Sequence, residues 1–179
     1  NTALMASGAY IHVHRDVQAE TPVQVLFVST DGVASFPRVL IHVEEGARAQ
    51  VIETYVSLGE GKHFTNGVTE VVVESNGHLE HVKAQLENDQ AFHIALNEAR
   101  VERDGTYLTY NLTLGGHLTR NDIQVFINGE NAHVRMDGVY ALDGNQHCDN
   151  HTRLDHAMPH CDSFEVYKGV LDGHSTGVF

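Results

Sequence analysis

Residues Asn150 to Cys161 read NHTRLDHAMPHC, and GNQHCD runs into them, so His147, Cys148, His151, His156, His160 and Cys161 crowd into one short stretch. Imidazole nitrogens and thiolates are the donors of zinc and iron sites, and a closed zinc site needs about four of them converging on one point. The pairs His147…His151 and His156…His160 have a spacing of four, which suits a helix or a turn. On an extended strand their ends lie roughly 13 Å apart, too far to share one ion. Read as a strand, residues 147–156 sort by parity. His147, Asp149, His151, Arg153 and Asp155 point one way; Cys148, Asn150, Thr152, Leu154 and His156 point the other. Pro159 then interrupts the strand, so parity does not give the directions of His160 and Cys161. The leading reading of the stretch is polar residues stacked at coil corners and at a subunit face; the lesser one is a transient contact with iron, for which His156, His160 and Cys161 are the candidates, rather than a permanent metal site.

Two other chemistries suggest themselves. Cys161 lies between His160 and Asp162, the residue types of a nucleophilic triad, but a base must reach its nucleophile through space from another element. No G-x-S-x-G elbow, P-loop or G-x-G-x-x-G occurs. Near the other end, His12-Val13-His14 followed by Glu20 is similar to the HxH…E metal motif of cupins, in which alternate strand residues aim two imidazoles at one ion. Five residues separate His14 from Glu20, a longer gap than the cupin spacing. The second cupin motif, with its Pro-x-Gly, is missing: Pro22, Pro37 and Pro159 stand in other contexts. A metal-dependent cupin-like enzyme using the histidine-rich segments is therefore the alternative reading.

The elements that would position these residues are strands. Alternating runs rich in β-branched and aromatic residues cover 23–29, 38–45, 49–57, 68–75, 78–86, 106–116, 122–129 and 133–142. Helical periodicity is nearly absent. The best helix candidate, NDQAFHIALNEARVE, also alternates, with Phe92, Ile94 and Leu96 on one face. Polar turns containing Gly46, Gly77, Gly105, Gly129 and Gly173 precede successive runs at separations of 31, 28, 24 and 44 residues, an imperfect repeat of the kind coiled β architectures leave. Each coil would bury its inward residues on its neighbour. Asn-Gly and Asp-Gly dipeptides at 66–67, 76–77, 104–105 and 128–129 also suit the hairpins of a sandwich or barrel.

The chain is long enough for one domain, residues 1–179, with a sizeable core. Its 24 acidic residues against 11 basic ones give a net charge of −13, which argues against nucleic acid and anionic membrane surfaces as partners. No apolar run approaches the roughly 20 residues that span a bilayer, and the opening NTALMASGAYIHVH lacks the features of a signal peptide. Without an export signal Cys148 and Cys161 are expected to remain thiols. The sequons at Asn111 and Asn150 then carry no meaning. The start at Asn1 rather than Met and the abrupt stop in HSTGVF lead to the expectation of a fragment or an engineered chain.

The run HTRLDHAMPHCDSFEVYKGVLDGHSTGVF, with Asp155-His156-x-x-Pro159-His160-Cys161 and Tyr167-Lys168-Gly169-Val170-Leu171-Asp172, resembles the SufB/SufD family of iron–sulfur cluster assembly scaffolds. NTALMASGAYIHV with PVQVLFVS, and RNDIQVFINGENAHVRMDGVYALDGNQHCDNHT, are similar to its opening and middle coils. The later motifs favour the SufD branch.

The resemblance implies an all-β core, a right-handed β-helix, without the helical regions that flank it in the family. It implies a non-enzymatic subunit that pairs with SufB in a complex with the ATPase SufC, whose docking segment is expected to lie outside these residues. No permanent cofactor is implied, only a transient iron–sulfur cluster in the assembled complex. The family's cluster-site Cys-x-His would follow residue 179, so no ligand carries across. The expected location is the cytoplasm, or the plastid stroma in a plant. An open strand edge near HSTGVF is expected to support a homodimer.

Overall fold

The computed structural model describes all residues 1–179 and contains no helix. Its strands are β1 (Gly8–Val13), β2 (Val23–Thr30), β3 (Ala34–Ser35), β4 (Arg38–Val43), β5 (Arg48–Leu58), β6 (Phe64–Val73), β7 (His78–Leu86), β8 (Phe92–Val101), β9 (Thr106–Thr113), β10 (Leu118–Ile127), β11 (His133–Leu142), β12 (His147–His156), β13 (Asp162–Leu171) and β14 (Thr176–Val178). They alternate between two sheets. One has the order β1-β4-β6-β8-β10-β12-β14, with β3 also pairing β6, and the other β13-β11-β9-β7-β5-β2. Apart from β3 and β4, which both pair with β6, consecutive strands lie in opposite sheets, and every strand pair is parallel. The result is a β-helix in which each coil supplies one strand to each sheet. A cupin barrel or a hairpin-built sandwich is antiparallel, so the parallel pairing excludes both.

The helix candidate is β8. Its alternation wins over its helical spacing because Phe92 and Leu96 stand level with Phe64 and Val68 of β6, and with Leu118 and Asp122 of β10. Of the four turn dipeptides, Asn66-Gly67 lies inside β6, while the other three lie at corners between coils.

The corners explain why the glycine repeat looks imperfect. One residue per coil has a left-handed backbone at the same corner: Asp16, Gly46, Asn76, Asp104, Asn131 and His160, all with φ between +55° and +67°. Short polar side chains tolerate this region best after glycine. At four of these corners the left-handed residue also donates its N–H to the next coil: Asp16 to Glu45, Gly46 to Ser75, Asn76 to Arg103 and Asp104 to Glu130, at 2.9–3.0 Å. The position recurs every 27–30 residues but is held by four residue types, which hides it. Gly173 belongs to the opposite corner, with Gly32, Gly59, Gly116 and Gly144, so measuring from Gly129 to Gly173 compares unlike turns.

Candidate functional site

The interior of the β-helix is divided lengthwise. Beside the left-handed corner, inward side chains are apolar: Val43, Ala49, Val51, Val73, Leu79, Val101, Ile127 and Val134 belong to one buried cluster. Beside the opposite corner the inward positions are polar yet buried, with Glu53, Thr65, His81, Lys83, Gln85, Glu87, His93, Asn97, Asn121 and Asn150 at most 7% exposed. Strand alternation produces this division. A strand that aims Leu79 inward must also aim His81, Lys83, Gln85 and Glu87 inward.

Two carboxylates organise the polar half. Glu53 accepts hydrogen bonds from the Tyr55 hydroxyl at 2.8 Å, the Thr69 hydroxyl at 2.8 Å and His81 Nε2 at 2.9 Å. Behind it, His81 Nδ1 and the Tyr107 hydroxyl are 3.0 Å apart, and Asn97 donates to that hydroxyl at 3.0 Å. Burial alone would raise the Glu53 carboxyl, but the bonds from His81, Thr69 and Tyr55 hold it below the usual range.

Glu87 accepts from Thr65 at 2.7 Å, Gln85 at 3.0 Å and His93 Nδ1 at 2.8 Å, with His63 Nε2 at 3.4 Å. Burial opposes its ionisation, yet His93, Thr65 and Gln85 together hold it down at about 2. His93 itself is pushed down to about 4, first by burial and then by Lys83. His63 Nδ1, His93 Nε2 and Gln85 Oε1 have no hydrogen-bond partner in the protein, so polar capacity remains around Glu87.

Lys83 donates to Asn121 Oδ1 at 2.6 Å, and its ammonium lies 5.6 Å from the Tyr55 ring centroid. Burial pushes it down to about 8 against the pull of Glu53 and Glu87. Tyr55, Thr69, His81, Lys83, Asn97 and Asn121 line a small cavity here. Asn121 continues the chain to Asn150 Oδ1 at 3.0 Å, and Asn150 Nδ2 meets Cys148 Sγ at 3.4 Å. The network can hold buried charge and relay hydrogen bonds from coil to coil, and that is its chemical character.

The histidine-rich stretch forms β12 and the corner after it. Parity sorts its first part as expected, with Cys148 and Asn150 buried and His151 and Arg153 exposed; at the end of the strand it fails, since His156, on the parity of Cys148, is exposed. Both cysteines are free thiols, and burial pushes the Cys148 thiol up, away from a reactive thiolate. Asn111 and Asn150, the sequon residues, are both buried inside the coils.

The three iron candidates are close in sequence but separately engaged. His156 Nε2 meets Ser163 Oγ at 2.9 Å, Cys161 Sγ donates to the Gly129 and Pro159 carbonyls at 3.3 Å, and His160 is the left-handed corner residue. Their ligand atoms do not gather within 4.8 Å of one another, whereas those of His12, His14 and Glu44 do. The exposed Glu20 of the HxH…E reading is not part of that group; its carboxylate is Glu44, from the next coil, which the spacing along one strand did not single out.

Composition and motif spacing gave no hint of the buried polar half, but a signal was present. In HLEHVKAQLE one parity carries Leu79, His81, Lys83, Gln85 and Glu87, and the other carries Val82, Ala84 and Leu86. Alternation alone would bury the second set. The structure buries the first, because Leu79 is locked into the core between Ala49 of β5 and Tyr107 of β9.

Residues 26–179 match the family described as SUF system FeS cluster assembly, SufBD core domain. The chain is 31% identical over 183 residues to the iron-sulfur cluster assembly protein SufD of Escherichia coli (strain K12), covering 99% of this chain and 43% of that protein. It is 29% identical to protein ABCI7, chloroplastic, of Arabidopsis thaliana, over 93% of this chain and 37% of that protein. Against the iron-sulfur cluster assembly protein SufB of Bacillus subtilis (strain 168) the identity is 23%, over 95% of this chain and 37% of that protein. The chain thus spans less than half the length of the curated relatives it matches. A parallel β-helix with one strand per sheet per coil, matched over residues 26–179, places this chain in the SufBD core-domain family of the SUF iron–sulfur cluster assembly system.

Proposed function

We propose that this chain is the core of a SufD-type scaffold subunit, which pairs with a SufB-type subunit and takes part in cluster assembly without catalysing a reaction of its own. The observation that carries this reading is the family match over residues 26–179, together with the 31% identity to a SufD protein against 23% to a SufB protein. The SufC ATPase would join through a segment outside these residues, and the cytoplasm or a plastid stroma is the compartment this role requires.

One end of the β-helix supports an interface. Phe164, Val166 and Val170 lie on the outward face of β13 and are 43–66% exposed, which is where apolar contact with another subunit would be gained. The unpaired edge of β13 offers backbone groups to a partner strand, and self-association through it belongs to the same proposal. His156, His160 and Cys161, at the corner leading into β13, are the residues of this chain proposed to touch iron in passing.

The test is co-expression of the full protein containing this chain with SufB-type and SufC-type subunits. Co-purification of all three, with Phe164→Asp and Val166→Asp weakening capture of the SufB-type subunit at unchanged thermal stability, supports the reading. Failure of the unaltered protein to retain the SufB-type subunit overturns it.

A further inference from the structure

The triplets that end successive strands of the larger sheet form a series: His12-Val13-His14, His42-Val43-Glu44, Val72-Val73-Glu74 and Arg100-Val101-Glu102. They lie in register, with His12 level with His42, His42 with Val72, and Val72 with Arg100. In the middle of the series the acid of one coil reaches back to the coil before it. Glu44 Oε1 lies 2.7 Å from His12 Nε2, and Glu74 Oε1 lies 2.8 Å from His42 Nε2. The stacked coils bring the His12 and His42 rings to 5.0 Å with an interplanar angle of 6°.

The first coil breaks the series. Where the later triplets carry a carboxylate, it carries His14, whose Nδ1 lies 4.0 Å from Glu44 Oε1 and whose ring is 4.2 Å from that of His12. Two imidazoles and a carboxylate therefore face one another, with ligand atoms all within 4.8 Å. The second coil, with Glu44 in the place of His14, assembles no such group.

We propose that His12, His14 and Glu44 form a binding site for a divalent transition-metal ion. Metal–ligand bonds of about 2.0–2.2 Å set neighbouring donors roughly 3–3.5 Å apart. The separations here bracket that range, and the His14 side chain, 72% exposed, is free to swing inward. Glu44 is already oriented: its second oxygen accepts the Arg15 backbone N–H at 2.7 Å, which aims Oε1 at His12 Nε2, and an ion would take the place of the proton these two atoms share. His12 and Glu44 are about 28% exposed, so the ion would sit at the surface with water completing its coordination. Two imidazoles with one carboxylate suit Zn²⁺, Fe²⁺, Co²⁺ or Ni²⁺ and disfavour Ca²⁺ and Mg²⁺, which prefer all-oxygen sites. The net charge of −13 raises the local concentration of any cation.

The site does not depend on the scaffold reading. The test is titration of the full untagged protein containing this chain with Zn²⁺ by calorimetry and with Co²⁺ by visible absorption. One ion per chain is expected, with affinity falling about tenfold or more in His14→Ala and again in Glu44→Gln, and unchanged in His151→Ala. Metal-free thermal unfolding of His14→Ala should match the unaltered protein, which separates a lost ligand from a damaged fold. Equal affinity in His14→Ala and Glu44→Gln, an equal loss in His151→Ala, or no stoichiometric binding would overturn the proposal.

Discussion

Glu53 and His81 meet at 2.9 Å inside the β-helix, one from β5 and one from β7, with side chains that are 0% and 1% exposed. Both side chains are out of contact with solvent, so breaking the pair leaves a buried polar group without its partner. Glu53→Ala is expected to cost about 3–5 kcal/mol, because His81, Tyr55 and Thr69 all lose their acceptor. Glu53→Gln keeps an acceptor oxygen and should cost distinctly less. Urea midpoints measured with the slope checked for constancy decide this, and a loss below about 1 kcal/mol for Glu53→Ala would show that the network relaxes around the gap.

Glu87 and His93 make stability depend on acid. The His93 folded-state pKa lies near 4, below its ordinary value of 6.5, so between those values the unfolded chain binds the extra proton. Stability from this group is complete above about pH 6.5 and is lost as the pH falls toward 4. Glu87, held near 2, is also lowered, and its contribution disappears below its ordinary 4.5. The melting temperature should therefore fall progressively from about pH 6.5 downward. In His93→Gln the slope between pH 6.5 and 5 should flatten, even if that variant is less stable throughout. An unchanged slope would assign the acid sensitivity to other histidines.

How far these groups were legible in the sequence depended on what fixed them. The strands were legible because alternation is local: HLEHVKAQL and HVRMDGVYAL are β7 and β11 to the residue. The coiled architecture was legible in the turns, although the left-handed position changes from Gly46 to Asn76, Asp104 and His160 and so escapes a search for glycine. Which face of a strand turns inward was not local. His81 and Lys83 enter the core because neighbouring coils fix the position of Leu79, and their burial is tolerable only because Glu53 and Asn121 arrive from other coils. The same holds for Glu44. Its proximity to His12 comes from a register between coils, which motif spacing along one strand does not encode.

Tyr167 and Tyr140 cover glycines across the last coils. Gly138 of β11 stands level with Tyr167 of β13, and Tyr140 of β11 stands level with Gly169 of β13. A methyl group on Gly138 would collide with the Tyr167 ring, and one on Gly169 with the Tyr140 ring. Gly138→Ala is expected to cost about 1–3 kcal/mol as the ring is forced aside. Adding Tyr167→Ala should recover part of that loss, so the two changes combined should destabilise by less than their sum. Simple additivity in a double-mutant cycle would mean that the ring already has room to move.

His160 separates a structural role from a chemical one. Its φ of +62° repeats the corner conformation of Gly46 and Asn76 in earlier coils, and a left-handed backbone costs an ordinary side chain about 1–2 kcal/mol. His160→Gly removes that strain but loosens the unfolded chain by about 0.5–1 kcal/mol, so stability should stay level or rise slightly. His160→Val, β-branched in the same conformation, should cost more than 1 kcal/mol. With stability preserved in His160→Gly, the yield of cluster in the reconstituted complex reports on the imidazole alone. A fall in that yield supports the proposed passing contact with iron. An unchanged yield restricts His160 to turning the corner and leaves His156 and Cys161 as the residues to test next.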